Sequence, residues 1–164
     1  MTTLFVPDDF IVPDGLIHDH FILQMLEPSI NELDYQTVMS SRENLRSIFA
    51  EHDEWPTDDM TLADNLNDLI AHEKEFIDRI AFAYTVLTPD KSKCIGCIYI
   101  EPSNRDGVDC ETFYWLSDDN QHLFNEFEEI LKSWLKGKWP FNNIAYPGRS
   151  ISWQQWGSRS HSHI

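Results

Sequence analysis

A chain of 164 residues can bury a full hydrophobic core as one domain, and six Trp and ten Phe exclude a disordered segment. Its net charge of −16 excludes general binding to DNA, RNA or an anionic membrane, because phosphate contacts need clustered Lys and Arg. No stretch reaches the roughly eighteen consecutive apolar residues of a membrane span, and no basic region precedes an apolar core at the N-terminus. The reading is a cytoplasmic protein with neither nucleic acid nor membrane among its partners.

Residues 1–18 carry Leu4, Phe5, Val6, Phe10, Ile11 and Val12 between Pro7, Pro13 and Asp14-Gly15. Proline at those positions rules out a regular helix or a central strand, so an extended apolar arm is expected. The arm would pack on its own chain or on a second subunit, which makes a homodimer one of two ways of covering it. The rest, 19–164, reads as a single domain without linker or repeat. His18, Asp19 and His20 have metal-ligand chemistry, but no further ligand is identifiable nearby, so they read as a polar lead-in and no metal is expected.

His20 to Leu26 reads as the first strand. Ser29-x-x-Glu32 and Ser40-x-x-Glu43 have the spelling of capping boxes and predict two short helices ending near Phe49. After a loop from Glu51 to Pro56, Asp58, Asp59 and Thr61 open a longer helix. Its apolar stripe is Leu62, Leu66, Leu69, Ile70, Phe76, Ile77 and Ile80, interrupted by Glu73. Ala81 to Leu87 is a strand, joined through Thr88-Pro89-Asp90-Lys91 to a second, Cys94 to Ile100, as a hairpin.

That second run is almost continuously apolar, as a strand buried on both faces is. A loop with Pro102, Asn104 and Asp106-Gly107 leads to a strand over Glu111 to Leu116. A helix then begins near Asn120, with Leu123, Phe127, Ile130, Leu131, Trp134 and Leu135 on one face and Gly137 and Pro140 at its end. A last strand covers Asn143 to Tyr146, and the tail from Arg149 is polar apart from Ile151, Trp153, Trp156 and Ile164. Cys94 and Cys97 spell CxxC, but inside a strand their odd spacing predicts opposite faces and buried, inert thiols.

The order strand, two helices, antiparallel strands, helix, strand resembles the GNAT acyltransferase superfamily, and in particular its small uncharacterised bacterial members. The residues that carry the likeness are Phe49 to Pro56, Phe82 to Leu87, the strand from Cys94 to Glu101-Pro102, and Trp134 to Phe141, within residues 20–148. The fold expected is α/β: a mixed, mostly antiparallel sheet with helices on both faces. The function implied is transfer of an acyl group from acetyl-CoA to a small amine.

In that superfamily acetyl-CoA lies where the fourth strand meets the next helix, on a Gln/Arg-x-x-Gly-x-Gly/Ala loop whose amides hold the pyrophosphate. The resemblance assigns cofactor contact to Phe113, Trp115, Leu116, Ser117, Asn120 and Gln121. The corresponding stretch, Trp115 to His122, has neither Gly nor Arg, and Asp118 and Asp119 stand at the helix start. A carboxylate there favours the helix but repels a diphosphate. The likeness further implies Glu54 or Glu101 as the base that deprotonates the amine, and Tyr146 as the group that returns a proton to the thiolate. The alternative is a GNAT-like fold without cofactor that binds a partner or a small ligand.

Overall fold

Strand-forming runs pair in the order in which they occur. The computed structural model describes residues 4–158, and there a six-stranded sheet runs β1 (Gly15–Ile17), β2 (Ile22–Met25), β3 (Phe82–Leu87), β4 (Cys94–Pro102), β5 (Cys110–Leu116) and β6 (Ile144–Ala145). Each neighbouring pair is antiparallel except β5 and β6, which are parallel. Helices α1 (Asn31–Ser40), α2 (Arg42–Leu45) and α3 (Leu62–Ile77) lie between β2 and β3, α4 (Phe124–Lys138) follows β5, and α5 (Trp153–Ser158) ends the described chain. The mixed, mostly antiparallel α/β sheet is as expected.

Alternation in the central strands divides the core in two. Tyr84, Ile98, Ile100, Tyr114 and Leu116 face α4, where they meet Phe127, Leu131, Trp134 and Leu135. Ala83, Cys97, Tyr99, Phe113 and Trp115 face the opposite way, toward Val38 of α1, Leu45 of α2 and Leu69 of α3. Gly96 sits mid-strand because β5 passes too close for a side chain: a Cβ there would lie 2.3 Å from the Trp115 carbonyl oxygen.

The arm packs on its own chain. Val6 is buried, Phe5 stacks on Phe141 at 5.1 Å, and Phe10 meets Trp139 at 5.4 Å. Arg79 donates to the Pro7 and Phe10 carbonyls, and Tyr84 to that of Pro13. Leu4 and Ile11 stay exposed. Residues 1–3 of the arm, and the tail beyond 158 with Ile164, lie outside the described residues.

Several local expectations are corrected. The end of the arm forms edge strand β1, paired with β2 across the His18–Phe21 turn. Neither serine-led capping box exists: Ser29 Oγ donates to Glu27, Ser40 Oγ donates to the Thr37 carbonyl, and α1 and α2 start without a side-chain cap. The capping box that does form is Thr61 with Asp64, at the head of α3. On α3 the buried residues are Asn65 and Leu69, while Leu62, Ile70, Ile77 and also Ile80 are exposed.

Cys94 and Cys97 do not face opposite ways. A register shift between Val86 and Leu87 puts an extra residue into β4, which turns Cys94 toward α1, where Asp34 Oδ1 lies 3.9 Å from its sulfur. Cys97 is buried on the same side. All three thiols are free and buried, and burial raises the Cys94 pKa to about 12. The junction after β5 is a 3-10 turn, Asp118–Leu123, and α4 starts only at Phe124. The tail is helical over Trp153–Ser158, and its turn needs Gly148, whose φ is +76° and whose Cβ would strike the Trp153 ring.

Candidate functional site

A pocket of about 330 Å³ opens between α1, α3 and the end of β4. Its walls are aromatic: Phe49 packs at 4.8 Å from Tyr99 and 5.5 Å from Trp55, and Tyr99 lies 5.5 Å from the His72 ring. Its polar groups are Asp34, Asn65, Asp68, His72 and Glu101, with no Lys or Arg among the lining residues. Helical spacing explains the convergence, since Asn65, Asp68, Leu69 and His72 recur at three and four residues on one face of α3.

The carboxylates of this pocket resist ionisation. Glu101 has its pKa raised to about 7 by burial and by the neighbouring charges of Glu75 and Glu111. Glu111 stands opposite Glu101 across the strand pair and is held by Ser103 Oγ at 2.7 Å. Asp34 is raised to about 6, chiefly by burial, against the stabilising bond from Asn65 Nδ2 at 2.9 Å. Asp68 is raised, again mainly by burial, and burial lowers the His72 pKa. A buried acidic cavity with aromatic walls offers a low-energy place to a cation, because a positive guest restores the charge balance that burial disturbs.

The second feature is the free edge of β5. Strand β6 pairs only with Cys110 and Glu111, so from Thr112 onward β5 has no strand partner on that side among the described residues. Carbonyls on that edge are taken by side chains: Arg149 Nη2 donates to Tyr114 at 2.7 Å, and Gln121 Nε2 donates to Leu116 at 2.8 Å. The Arg149 guanidinium also lies over the rings of Tyr114 and Phe124, at 5.0 and 4.9 Å.

The residues singled out from the sequence divide among these features. Glu101 lines the pocket, and Trp55 of the loop before α3 closes it, whereas Glu54 is exposed in that loop and is not a lining residue. Tyr146 stands on the α4 side with its ring 6.1 Å from Tyr114, and burial raises its pKa. The structure therefore does not bring Tyr146 together with Glu101. Phe113 and Trp115 point into the α1 side of the core, Phe113 against Phe49 at 5.4 Å and Trp115 bonded to Tyr99. Ser117 accepts from Asn120, and Gln121 bonds Leu116 and Ser117, so these four form a closed knot. Asp34 and Asp68 were missed by sequence reasoning, and an acidic residue on the inner face of a helix is the one signal that could have found them; His72, a surface helix position by its sequence, is half-buried in the pocket wall.

Solved structures that superpose on this chain include acetyltransferases. A ribosomal-protein-S5-alanine acetyltransferase from Vibrio fischeri matches at a TM-score of 0.58 and 14% identity, over 74% of this chain and 66% of its own. A protein described as a probable acetyltransferase matches at 0.62 and 15%, over 79% and 71%. A microcin C7 self-immunity acetyltransferase, solved with acetyl-CoA and AMP, matches at 0.58 and 16%, over 80% and 72%. The fold is that of the GNAT acetyltransferases. No protein-family model matches the sequence, and a search of curated proteins finds no relative. No helix among the described residues is long and apolar enough to cross a membrane.

The GNAT fold implies acetyl-CoA, and the residues present fit it in part. The β5 edge offers backbone groups to a pantetheine arm, provided that Arg149 and Gln121 release the carbonyls they hold. The junction does not fit a diphosphate. The Asp118 amide is bonded to Ser41 Oγ at 3.0 Å, the Asn120 amide to the Ser117 carbonyl, and Asp118 and Asp119 are exposed carboxylates.

Proposed function

We propose that the protein is an acyl-CoA-dependent N-acyltransferase whose acceptor is a small cationic amine. The observation that carries this reading is the acidic, aromatic pocket on a GNAT fold whose strand β5 keeps an open edge among the described residues. Acetyl-CoA, when bound, supplies an acyl group activated as a thioester.

The chain's own residues do the rest. An ammonium group entering the pocket meets Asp34 and Asp68 as counter-charges and the faces of Trp55, Phe49 and Tyr99 as cation–π partners. Trp55 and Phe49 exclude water from the bound amine. Glu101 accepts the ammonium proton: a carboxylate with a pKa near 7 is about half ionised at neutral pH, and the transfer is less uphill than to an ordinary carboxylate. Such general-base help is worth about 10²–10⁴-fold in rate.

A second reading, a cofactor-free module that binds the same amine, is favoured by the junction alone, where Ser41 and Asn44 hold Asp118. Thermal melting with spermidine, lysine amide and acetyl-CoA separates the two. Both readings expect the amines to raise the melting temperature. The enzyme reading also expects acetyl-CoA to do so, stabilising the fold by about 2.7 kcal/mol at a hundred times its dissociation constant. No shift at millimolar acetyl-CoA would sink it, and no shift with any amine would sink both.

A further inference from the structure

Among the described residues, metal-ligating side chains meet at one place outside the acceptor pocket. His18 and His20 stand in the turn between β1 and β2, and Glu126 stands in the first turn of α4. His20 Nδ1 lies 2.6 Å from Glu126 Oε1, and His18 Nδ1 accepts the His20 backbone N–H at 3.1 Å. One ligand atom from each of the three lies within 4.8 Å of the others. We propose that His18, His20 and Glu126 bind a divalent transition-metal ion of the zinc class, which staples the β1–β2 turn to α4.

The donor set chooses the metal. Two imidazole nitrogens and one carboxylate oxygen are ligands of zinc and its first-row neighbours, whereas magnesium and calcium take oxygen almost throughout. Ligands about 2.0–2.1 Å from a tetrahedral centre stand roughly 3.4 Å apart. The 2.6 Å pair therefore has to open by about an ångström, and every other separation lies within 4.8 Å, at most about 1.4 Å from the one required.

His20 and Glu126 have side chains 56% and 42% exposed, which leaves them room for that movement. His18 is already oriented, since its ring stacks on Phe21 at 4.5 Å and 18°. The exposed His20 amide that loses its imidazole acceptor regains one from water. The fourth position stays open to solvent. Glu126 lies on the α4 side of the sheet, whereas the acceptor pocket lies on the α1–α3 side, so the ion's role is structural.

The test uses the full chain with zinc chloride, read by calorimetry and by metal analysis after dialysis, with cobalt(II) as a spectroscopic stand-in. The sequence also carries His161 and His163, so both histidine pairs are varied. The proposal expects one equivalent of zinc, retained in His161→Ala with His163→Ala, and a higher melting temperature with zinc. It expects no binding of magnesium at the same concentration. Loss of an outer-shell partner alone weakens metal sites by about 10–100-fold, so Glu126→Gln should weaken zinc by at least about tenfold.

His20→Ala should abolish both the tight equivalent and the visible cobalt bands, while circular dichroism shows an unchanged fold. Zinc binding that survives His20→Ala and Glu126→Gln, or that disappears with the terminal pair alone, would overturn the proposal. So would the absence of any bound zinc at micromolar concentration.

Discussion

Glu101 concentrates the chemistry of the candidate site in one titration. Its pKa rises from 4.5 to about 7 on folding, so the folded protein binds its proton more tightly than the unfolded chain does. The stability this contributes is fully present below pH 4.5 and is lost as pH rises through about 7. Glu101→Gln removes the titration. It should raise the melting temperature at about pH 8, where the parent carries a half-buried charge, and leave it nearly unchanged at about pH 4. A variant no more stable than its parent at about pH 8 would show that the carboxylate is solvated. In the enzyme reading, the same variant loses the rise in rate through neutral pH along with most of the rate itself. Glu101 was legible in the sequence as a carboxylate at a strand end. What raises its pKa was not, because burial under other elements comes first and Glu75 is brought from a helix 26 positions away.

At the scale of elements, α1 and α3 are joined by a buried polar set rather than by apolar contact alone. Asn65 Nδ2 donates to Asp34 Oδ2 and Asn31 Oδ1, both at 2.9 Å, and Asn31 Nδ2 donates to the Leu62 carbonyl. Asn65→Ala leaves the Asp34 carboxylate buried without its main donor. We expect a loss of about 1–3 kcal/mol at neutral pH, read from urea unfolding, and a smaller loss at about pH 4, where Asp34 is protonated in the folded state and needs its donor less. An equal loss at the two pH values would mean that Asn65 matters only through packing.

The junction after β5 is a second such joint, since Asn44 Nδ2 donates to Asp118 Oδ1 at 2.7 Å and ties α2 to the 3-10 turn. Replacing Asp118 and Asp119 by glycine removes two negative charges and that bond. A unit charge pair about 6 Å apart is worth roughly 3 kcal/mol at an effective dielectric of 20. A third of that, after screening, is about a fivefold gain in acetyl-CoA affinity, alongside a less stable fold. Calorimetry that finds weaker binding would contradict the view that these aspartates obstruct the diphosphate.

For the molecule as a whole, the arm closes the α4 side of the core. Burial of a side chain such as Val6 is worth about 1.5–3 kcal/mol, and the stack of Phe5 on Phe141 adds to it. Deleting residues 1–13 should therefore lower the melting temperature and leave the solution mass per particle set by the shortened chain alone. A particle that halves in mass would show instead that the arm also joins two subunits.

The sequence by itself determined the central strands and the longer helices, because their signals are local. The apolar run from Cys94 to Ile100, the turn residues between hairpin strands, and the helical stripe from Phe127 to Leu135 are each read within one element or one turn. It also supplied the GNAT likeness, which rests on the order of those elements. The tertiary structure decided whatever depends on side chains from different elements meeting. A one-residue register shift put Cys94 on the face of Cys97, and the packing of α1 against α3 buried Asp34. Folding also carried Glu126 to His20 across 106 positions and brought Arg149 to the open edge of β5. Periodicity constrains neighbours along one element, whereas a site is a convergence through space, and only the packed core sets those distances.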